Sequence, residues 1–312
     1  MTDDRFLFDH TPDPTLPVAP SVLALRAALA EATRDHLAVP DAALERDWPW
    51  SGHSADVRYG LYRSFEAIET AGVEAARVLR GTNARRTPGA EAIATATVAR
   101  WELHGLLTTL EDEVLDRDPG GVEWTIRQTL GHVVNSQRAY GWYTAWWAAR
   151  QPGGPILERI PEDVRAAANL PDEAVEGAGS IPDIRRRLDE ILDLSAGRLA
   201  YLDDEGMARA AAWSGIPVTV GFRLGRWSSH LVEHTIQVNK TLAMLHRRPT
   251  EVARLVRRIH TAHGRLEALV FPIDAGALAA DDGRGRSVDQ VLGSLAAELT
   301  GDARSVRAAA GA

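Results

Sequence analysis

The chain has 312 residues, 45% of them hydrophobic, enough to form one large or two average domains with a proper core. Its formal net charge of −8 and pI near 5.7 argue against nucleic-acid or anionic-membrane partners, because both need a basic surface. The absence of cysteine excludes disulfides, zinc fingers and a cysteine nucleophile, so any metal must be bound through nitrogen and oxygen.

The N-terminal segment indicates a soluble protein. Residues 1–20 carry four prolines and several aspartates, which predicts an extended arm on the surface. No apolar stretch is long enough for a signal peptide, and no later run approaches a membrane span of ~20 residues. We therefore expect a cytoplasmic location and no membrane partner.

Apolar residues recur at helical spacing along most of the chain, and no stretch shows the alternation typical of strands. We therefore predict an all-α fold with main helices at about 22–37, 56–80, 91–115, 124–150, 183–202, 222–246, 250–270 and 287–308. Turn-rich breaks are expected at 48–53 and 211–217. The segment 151–182 is rich in Pro, Gly and Asp and predicts a long excursion with one short helix at 162–168.

The chain also repeats itself at a spacing near 160 residues. Trp50-Ser-Gly52 corresponds to Trp213-Ser-Gly215, since 213 − 50 = 163. Further pairs at offsets of 159 to 163 are Leu25 and Leu188, Leu29 and Leu192, Asp41 and Asp204, Arg46 and Arg209, Val57 and Val220, Arg63 and Arg226, His104 and His263, and Gln128 and Gln290. Each half supplies four helices, so the duplication predicts two four-helix bundles.

Three histidines differ between the two copies. His230 and His234 are four residues apart in a predicted helix, which places both imidazoles on one face. Their counterparts are Ala67 and Ala71. His132 likewise falls opposite Ser294, so all three histidines occur in one copy and none in the other. This joint pattern indicates His132 as the third member of a metal site.

Three neutral imidazoles around one ion leave coordination positions open, as in catalytic rather than closed structural sites. Zinc suits such ligands best, and nickel, iron, cobalt and manganese are also compatible. Residues at helical spacing from the histidines are candidates for lining a substrate or thiol pocket, namely Asn135, Arg226, Trp227 and Gln237. Arg226 has a counterpart in Arg63, which favours a structural role for it, and Glu233 points away from the cluster. No catalytic residue is assigned.

The motifs Trp124-Thr-Ile-Arg-Gln-Thr-Leu-Gly-His132 and Trp227-Ser-Ser-His230-Leu-Val-Glu-His234-Thr-Ile-Gln237 resemble the DinB-like (YfiT-like) superfamily of metalloenzymes. The family pattern is a histidine on the second helix of a bundle and a His-x-x-x-His on the fourth. The resemblance implies that residues 90–247 form the metal-bearing bundle. Residues 21–81 and 250–311 would then form a degenerate second bundle without ligands. A split at 151–182, with the metal between two contiguous units, is the alternative.

The resemblance also implies a chemistry, because the superfamily includes bacillithiol- or mycothiol-dependent S-transferases and a mycothiol-dependent maleylpyruvate isomerase. We therefore expect a metal-dependent thiol S-transferase, which presents a metal-bound mycothiol-like thiol to a small electrophile. The alternatives are a metal-dependent hydrolase or isomerase at the same three histidines, or a non-catalytic small-molecule binding protein. The expected partners are a small-molecule substrate and no nucleic acid, with the chain a monomer or homodimer.

Overall fold

The structure is a computed structural model that describes residues 18–82, 84, 86–150 and 157–312. Most of the predicted arm at 1–20 therefore lies outside the described residues, within which the first helix begins at Pro20. Asn83 and the first part of the predicted excursion, 151–156, also lie outside them.

The chain is all-α, as predicted. Its main helices are α1 (Pro20–Leu37), α2 (Val57–Thr82), α3 (Pro88–Leu107), α4 (Ile126–Ala148), α7 (Ile181–Leu199), α9 (Val220–Met244), α10 (Glu251–Val270) and α12 (Val288–Ala310). Short helices are α5 (Glu162–Ala168), α6 (Glu173–Glu176), α8 (Asp204–Ala208) and α11 (Ala275–Ala279), with 3₁₀ turns at Asp41–Ala43 and Asp112–Val114. No helix in the described part of the chain is long and apolar enough to cross a membrane.

The expectation of no strands is wrong at two places. A hairpin of β1 (Asp47–Trp50) and β2 (His53–Asp56) precedes α2, and one of β3 (Ala210–Trp213) and β4 (Ile216–Thr219) precedes α9. Both turns are Ser-Gly pairs with positive φ at both residues, the conformation of a tight two-residue hairpin. Strands of four residues are too short for alternation to show in the sequence.

The third helix ends earlier than predicted. Apolar residues keep helical spacing as far as Val114, but α3 stops at Leu107. The Thr109 hydroxyl donates to the carbonyl oxygen of Leu106 (2.8 Å), which satisfies one of the free carbonyls at the helix end. Val114 lies in a separate 3₁₀ turn, where its side chain is buried. Its helical spacing from the apolar residues of α3 therefore reflects burial and not a continuation of the helix.

The structure repeats the same details in both halves of the sequence. Both hairpins pair in the same register, with Asp47 opposite Asp56 in one and Ala210 opposite Thr219 in the other. The Arg46 guanidinium donates to the carbonyl oxygen of Ala310 at the end of α12. Similarly, Arg209 donates to Ala148 at the end of α4. These shared details agree with the predicted duplication, since each hairpin is followed by one long helix.

The described chain divides into two compact units. The first comprises Arg86–Leu103 and Leu110–Arg247. In it α4 is central and packs against α9, α7 and α6, with its apolar face fully buried. An ion pair between Arg100 and Asp189 (2.7 Å) joins α3 to α7. Four helices, α3, α4, α7 and α9, thus surround the core of this unit.

The second unit comprises Val18–Arg85, His104–Thr109 and Arg248–Ala312. Here α1 and α2 pack against α10 and α12. Its core contains buried polar pairs, with His36 Nε2 3.0 Å from the Ser64 hydroxyl and Thr33 Oγ1 3.0 Å from His260 Nε2. These hydrogen bonds satisfy polar groups that would otherwise be costly to bury.

Candidate metal centre

Two helices of the first unit carry the three histidines, and both helices begin at well-defined caps. Thr125 and Gln128 form a capping box at the start of α4, which fixes where the helix containing His132 begins. Thr219, the last residue of β4, caps α9 by accepting a hydrogen bond from the Phe222 amide. The second hairpin therefore leads directly into the helix of His230 and His234.

The three imidazoles meet through their Nε2 atoms. His230 Nε2 lies 3.2 Å from His132 Nε2 and 3.0 Å from His234 Nε2. One ring nitrogen from each histidine lies within 4.8 Å of the others, which makes this a group that could hold a metal ion. His230 and His234 are buried, while 27% of the His132 side chain is exposed, so the cluster is accessible from the side of His132.

Hydrogen bonds on the far side of two rings fix their tautomers. His132 Nδ1 lies 2.8 Å from Glu173 Oε1, and His234 Nδ1 lies 2.7 Å from Gln237 Oε1. Since both oxygens are acceptors, each Nδ1 carries the proton and each Nε2 presents a lone pair to the centre of the cluster. This is the outer arrangement that orients histidine ligands in metal sites.

Burial keeps the inner histidines neutral. It lowers the pKa of His230 to about 3, helped by the neighbouring His234, His132 and Arg226. Burial also lowers the pKa of His234, although the hydrogen bond to Gln237 and the charge of Glu233 act in the opposite direction. A metal ligand must be the neutral imidazole, so both residues are in the required form near pH 7.

The cluster fits a divalent ion better than it fits hydrogen bonding alone. The lone pairs of His132 and His234 both face His230, whose Nε2 can donate at most one proton. His230 Nδ1 is buried without a hydrogen-bond partner among the described residues. Two nitrogens bound at ~2.0–2.1 Å in a tetrahedral site lie ~3.3 Å apart, close to the distances found here.

Comparison with known families agrees with this geometry. Residues 95–238, which include α4, α9 and all three histidines, match the model of the DinB superfamily. This segment belongs to the DinB superfamily. Searches of curated proteins and of solved structures gave no match. The family assignment therefore rests on the matched segment, which we call the DinB domain.

Glu173 was not predicted as a site residue. It begins α6, which Asp172 caps, and the close approach of two glycines brings α6 against α4. A Cβ on Gly131 would clash with the Glu173 carbonyl oxygen and lie 3.3 Å from Gly177 Cα. In addition, Asn135 Nδ2 donates to the Pro171 carbonyl oxygen (2.6 Å). These contacts hold the segment 171–177 against α4, the helix that carries His132.

The four predicted pocket residues have different positions in the DinB domain. Gln237 holds His234, and Asn135 anchors the loop before Glu173. Trp227 is only 1% exposed and packs in the core against α4. Arg226 stacks on Trp213 of the second hairpin (5.4 Å from guanidinium carbon to ring centroid).

Arg63 stacks in the same way on Trp50 of the first hairpin (4.7 Å). This shared contact explains the arginine in both copies and gives Arg226 a structural role. The charge of Arg226 nevertheless acts on the histidines, because it contributes to lowering the pKa of both His230 and His234.

Two cavities adjoin the cluster within the DinB domain. One, of about 590 Å³, lies beside His132 and is lined by residues including Trp124, Gln128 and Glu173. The Trp124 and His132 rings meet edge-on, with centroids 5.4 Å apart. The other, of about 500 Å³, includes Tyr140, whose ring centroid lies 5.6 Å from that of His230.

The second unit lacks the cluster at the equivalent positions. Ala67 and Ala71 on α2 are buried methyl groups, and Ser294 on α12 is exposed, with its hydroxyl bonded to the Gln290 carbonyl oxygen. Among the described residues, the three histidines of the DinB domain form the single group suited to a metal.

Proposed function

We propose that His132, His230 and His234 are the ligands of a divalent metal ion and that the DinB domain is a metal-dependent enzyme. The observation that carries this proposal is the convergence of three Nε2 atoms, with two of the rings fixed by Glu173 and Gln237. The superfamily is metal-binding, which agrees with the donor set. Zinc is the best match, with nickel, iron, cobalt or manganese as alternatives.

The reaction that we favour is thiol S-transfer from a low-molecular-weight thiol such as mycothiol to a small electrophile. A divalent ion with an open position lowers the pKa of a coordinating thiol and so supplies thiolate at neutral pH. The thiolate sulfur would form a bond to an electrophilic carbon as a bond of that carbon breaks, namely C–O in an epoxide, C–Cl in an aryl chloride or the π bond of an activated alkene. Water would take the thiol proton, and chloride would leave as the anion, whereas the opened epoxide or added alkene would take up one proton from water. The two cavities beside the cluster support this proposal, because one could bind the thiol and the other the electrophile.

The residues of the chain have distinct tasks in this proposal. Glu173 and Gln237 hold two imidazoles in the orientation and tautomer that leaves Nε2 free. Tyr140 covers one edge of His230, and Trp124 covers one edge of His132. These aromatic rings keep water away from part of the cluster.

Mass spectrometry tests the proposal directly. Metal-loaded protein is incubated with mycothiol and a panel of electrophiles, including an epoxide, an α,β-unsaturated acid and an aryl chloride. We expect a thiol adduct that forms with wild-type protein and not with His230→Ala. Turnover that does not depend on the thiol would favour the hydrolase or isomerase alternative. Metal and ligand binding without turnover would favour a binding protein.

A further inference from the structure

The cavity beside Tyr140 contains a buried arginine that has no acidic partner among the described residues. Arg223, near the start of α9, is only 6% exposed. Its Nε donates to the Thr144 hydroxyl (3.2 Å) and one Nη donates to the Ala212 carbonyl oxygen (2.7 Å). No carboxylate in the described part of the chain pairs with it. A buried cation needs an anion or several hydrogen bonds to offset its lost hydration.

Arg223 remains charged in this position. Burial lowers its pKa to about 10, and the nearby hydroxyls of Tyr140 and Tyr143 oppose this effect. The value is still well above neutral pH, so the guanidinium keeps its charge. The second Nη has no hydrogen bond to the described residues, and Arg223 lines the cavity. A planar fork with free donors beside a cavity suits a carboxylate.

The walls of the cavity are aromatic. Tyr140, Tyr143 and Trp147 come from α4, and Trp213 comes from β3. Ser136 also lines it, one helical turn from both His132 and Tyr140. The exposed side chains of Glu158, Arg159 and Arg165 lie at its rim, where Arg165 pairs with Glu162 (3.2 Å). The interior thus combines one buried cation with flat apolar surfaces.

The cavity and the histidine cluster lie on the same helix faces. Arg223 precedes His230 by seven residues on α9, a separation of about 10 Å along the helix axis. Tyr140 connects the two, since it lines the cavity and contacts His230. The repeat shows that the arginine is not part of the common fold, because its counterpart at offset 163 is Gly60.

We propose that this cavity binds a small organic carboxylate with a flat body, with its carboxylate on Arg223. The carboxylate accepts from the free guanidinium donors and the body lies between the aromatic walls. The further step, that this molecule is the electrophilic substrate, rests on the proposed function. Binding of the carboxylate is independent of the proposed function, because none of the three histidines lines the cavity.

Calorimetric titration of full-length, EDTA-treated protein with benzoate and with benzamide tests the proposal. The two probes share a shape, and only benzoate carries a charge. We expect benzoate to bind more tightly than benzamide by about 10- to 100-fold, the range for hydrogen bonds to a charged group. Equal binding of the two probes, or no binding of benzoate at millimolar concentration, would overturn the assignment.

Three variants complete the test. Arg223→Gln should lose the preference for benzoate, whereas Arg247→Gln, which removes the same charge outside the cavity, should keep it. If Arg223→Gln fails to fold, Ser136→Asp places a negative charge in the same cavity and should weaken benzoate alone. Unchanged benzoate binding in folded Arg223→Gln, or in Ser136→Asp, would contradict the proposal. Because metal is absent, failure of the metal site would not affect these results.

Discussion

Replacing Glu173 by Gln should weaken metal binding without unfolding the protein. Glu173 Oε1 lies 2.8 Å from His132 Nδ1, and half of its side chain is exposed (51%). Loss of such an outer partner costs 10- to 100-fold in metal affinity. Glutamine keeps the shape and can still accept a hydrogen bond, and solvent screens the charge, so we expect the lower end, about tenfold.

Competition with a chromophoric zinc chelator measures this affinity, and circular dichroism checks the fold. The matched control is Glu162→Gln, which removes an exposed carboxylate that pairs only with Arg165 in the described structure. Gln237→Glu gives His234 the same kind of partner as His132 and should tighten binding. If Glu173→Gln binds zinc as tightly as wild type, or if Glu162→Gln weakens zinc binding by the same amount as Glu173→Gln, our account of the outer partners is wrong.

Three further predictions follow from the geometry. His230→Ala should abolish tight zinc binding in the same assay, whereas replacement of the exposed His53 should leave it unchanged. Gly131→Ala should destabilise the protein by about 1–3 kcal/mol in thermal unfolding and weaken metal binding, because its Cβ meets the Glu173 backbone; Gly293→Ala, its open counterpart, should be tolerated. Burial lowers the pKa of His36 from 6.5 to about 4, so the unfolded chain takes up the proton first and stability is lost as the pH falls from about 6.5 towards 4. Urea unfolding should show about 2 kcal/mol of this loss between pH 7 and pH 5 that is missing in His36→Gln; equal pH dependence of the two proteins would refute it.

The sequence predicted the parts of the site that depend on helical periodicity. His230 and His234 share a face because they are four residues apart. His132 was included because it differs between the repeats together with them, and the structure does bring all three rings together. The comparison of the two repeats therefore identified His132, which neither the composition nor the spacing of the histidines would have connected with His230 and His234.

Glu173 and Arg223 could not be found in this way. Glu173 belongs to a helix of four residues in a segment rich in Pro, Gly and Asp, where no periodicity exists. Its contact spans 41 positions and depends on the approach of Gly131 to Gly177. Arg223 follows Phe222 in an amphipathic helix, where an arginine normally faces solvent. Only packing against β3 and Thr144 shows that it is buried.

The role of the second unit stays a proposal. At the repeat offset, its helices α1, α2, α10 and α12 correspond to α7, α9, α3 and α4 of the first unit, and alanines stand at two of the histidine positions. We propose that it is a degenerate copy with the packing of the bundle and without the metal site.

Metal content is the most direct test of the central claim that the three histidines bind one divalent ion. The full-length protein is purified without chelators, and its metal is measured by inductively coupled plasma mass spectrometry beside His230→Ala and His53→Ala. We expect about one divalent ion per chain in wild type and in His53→Ala and none in His230→Ala. No metal in the wild type, even after zinc is added, or equal metal in all three proteins, would contradict the account.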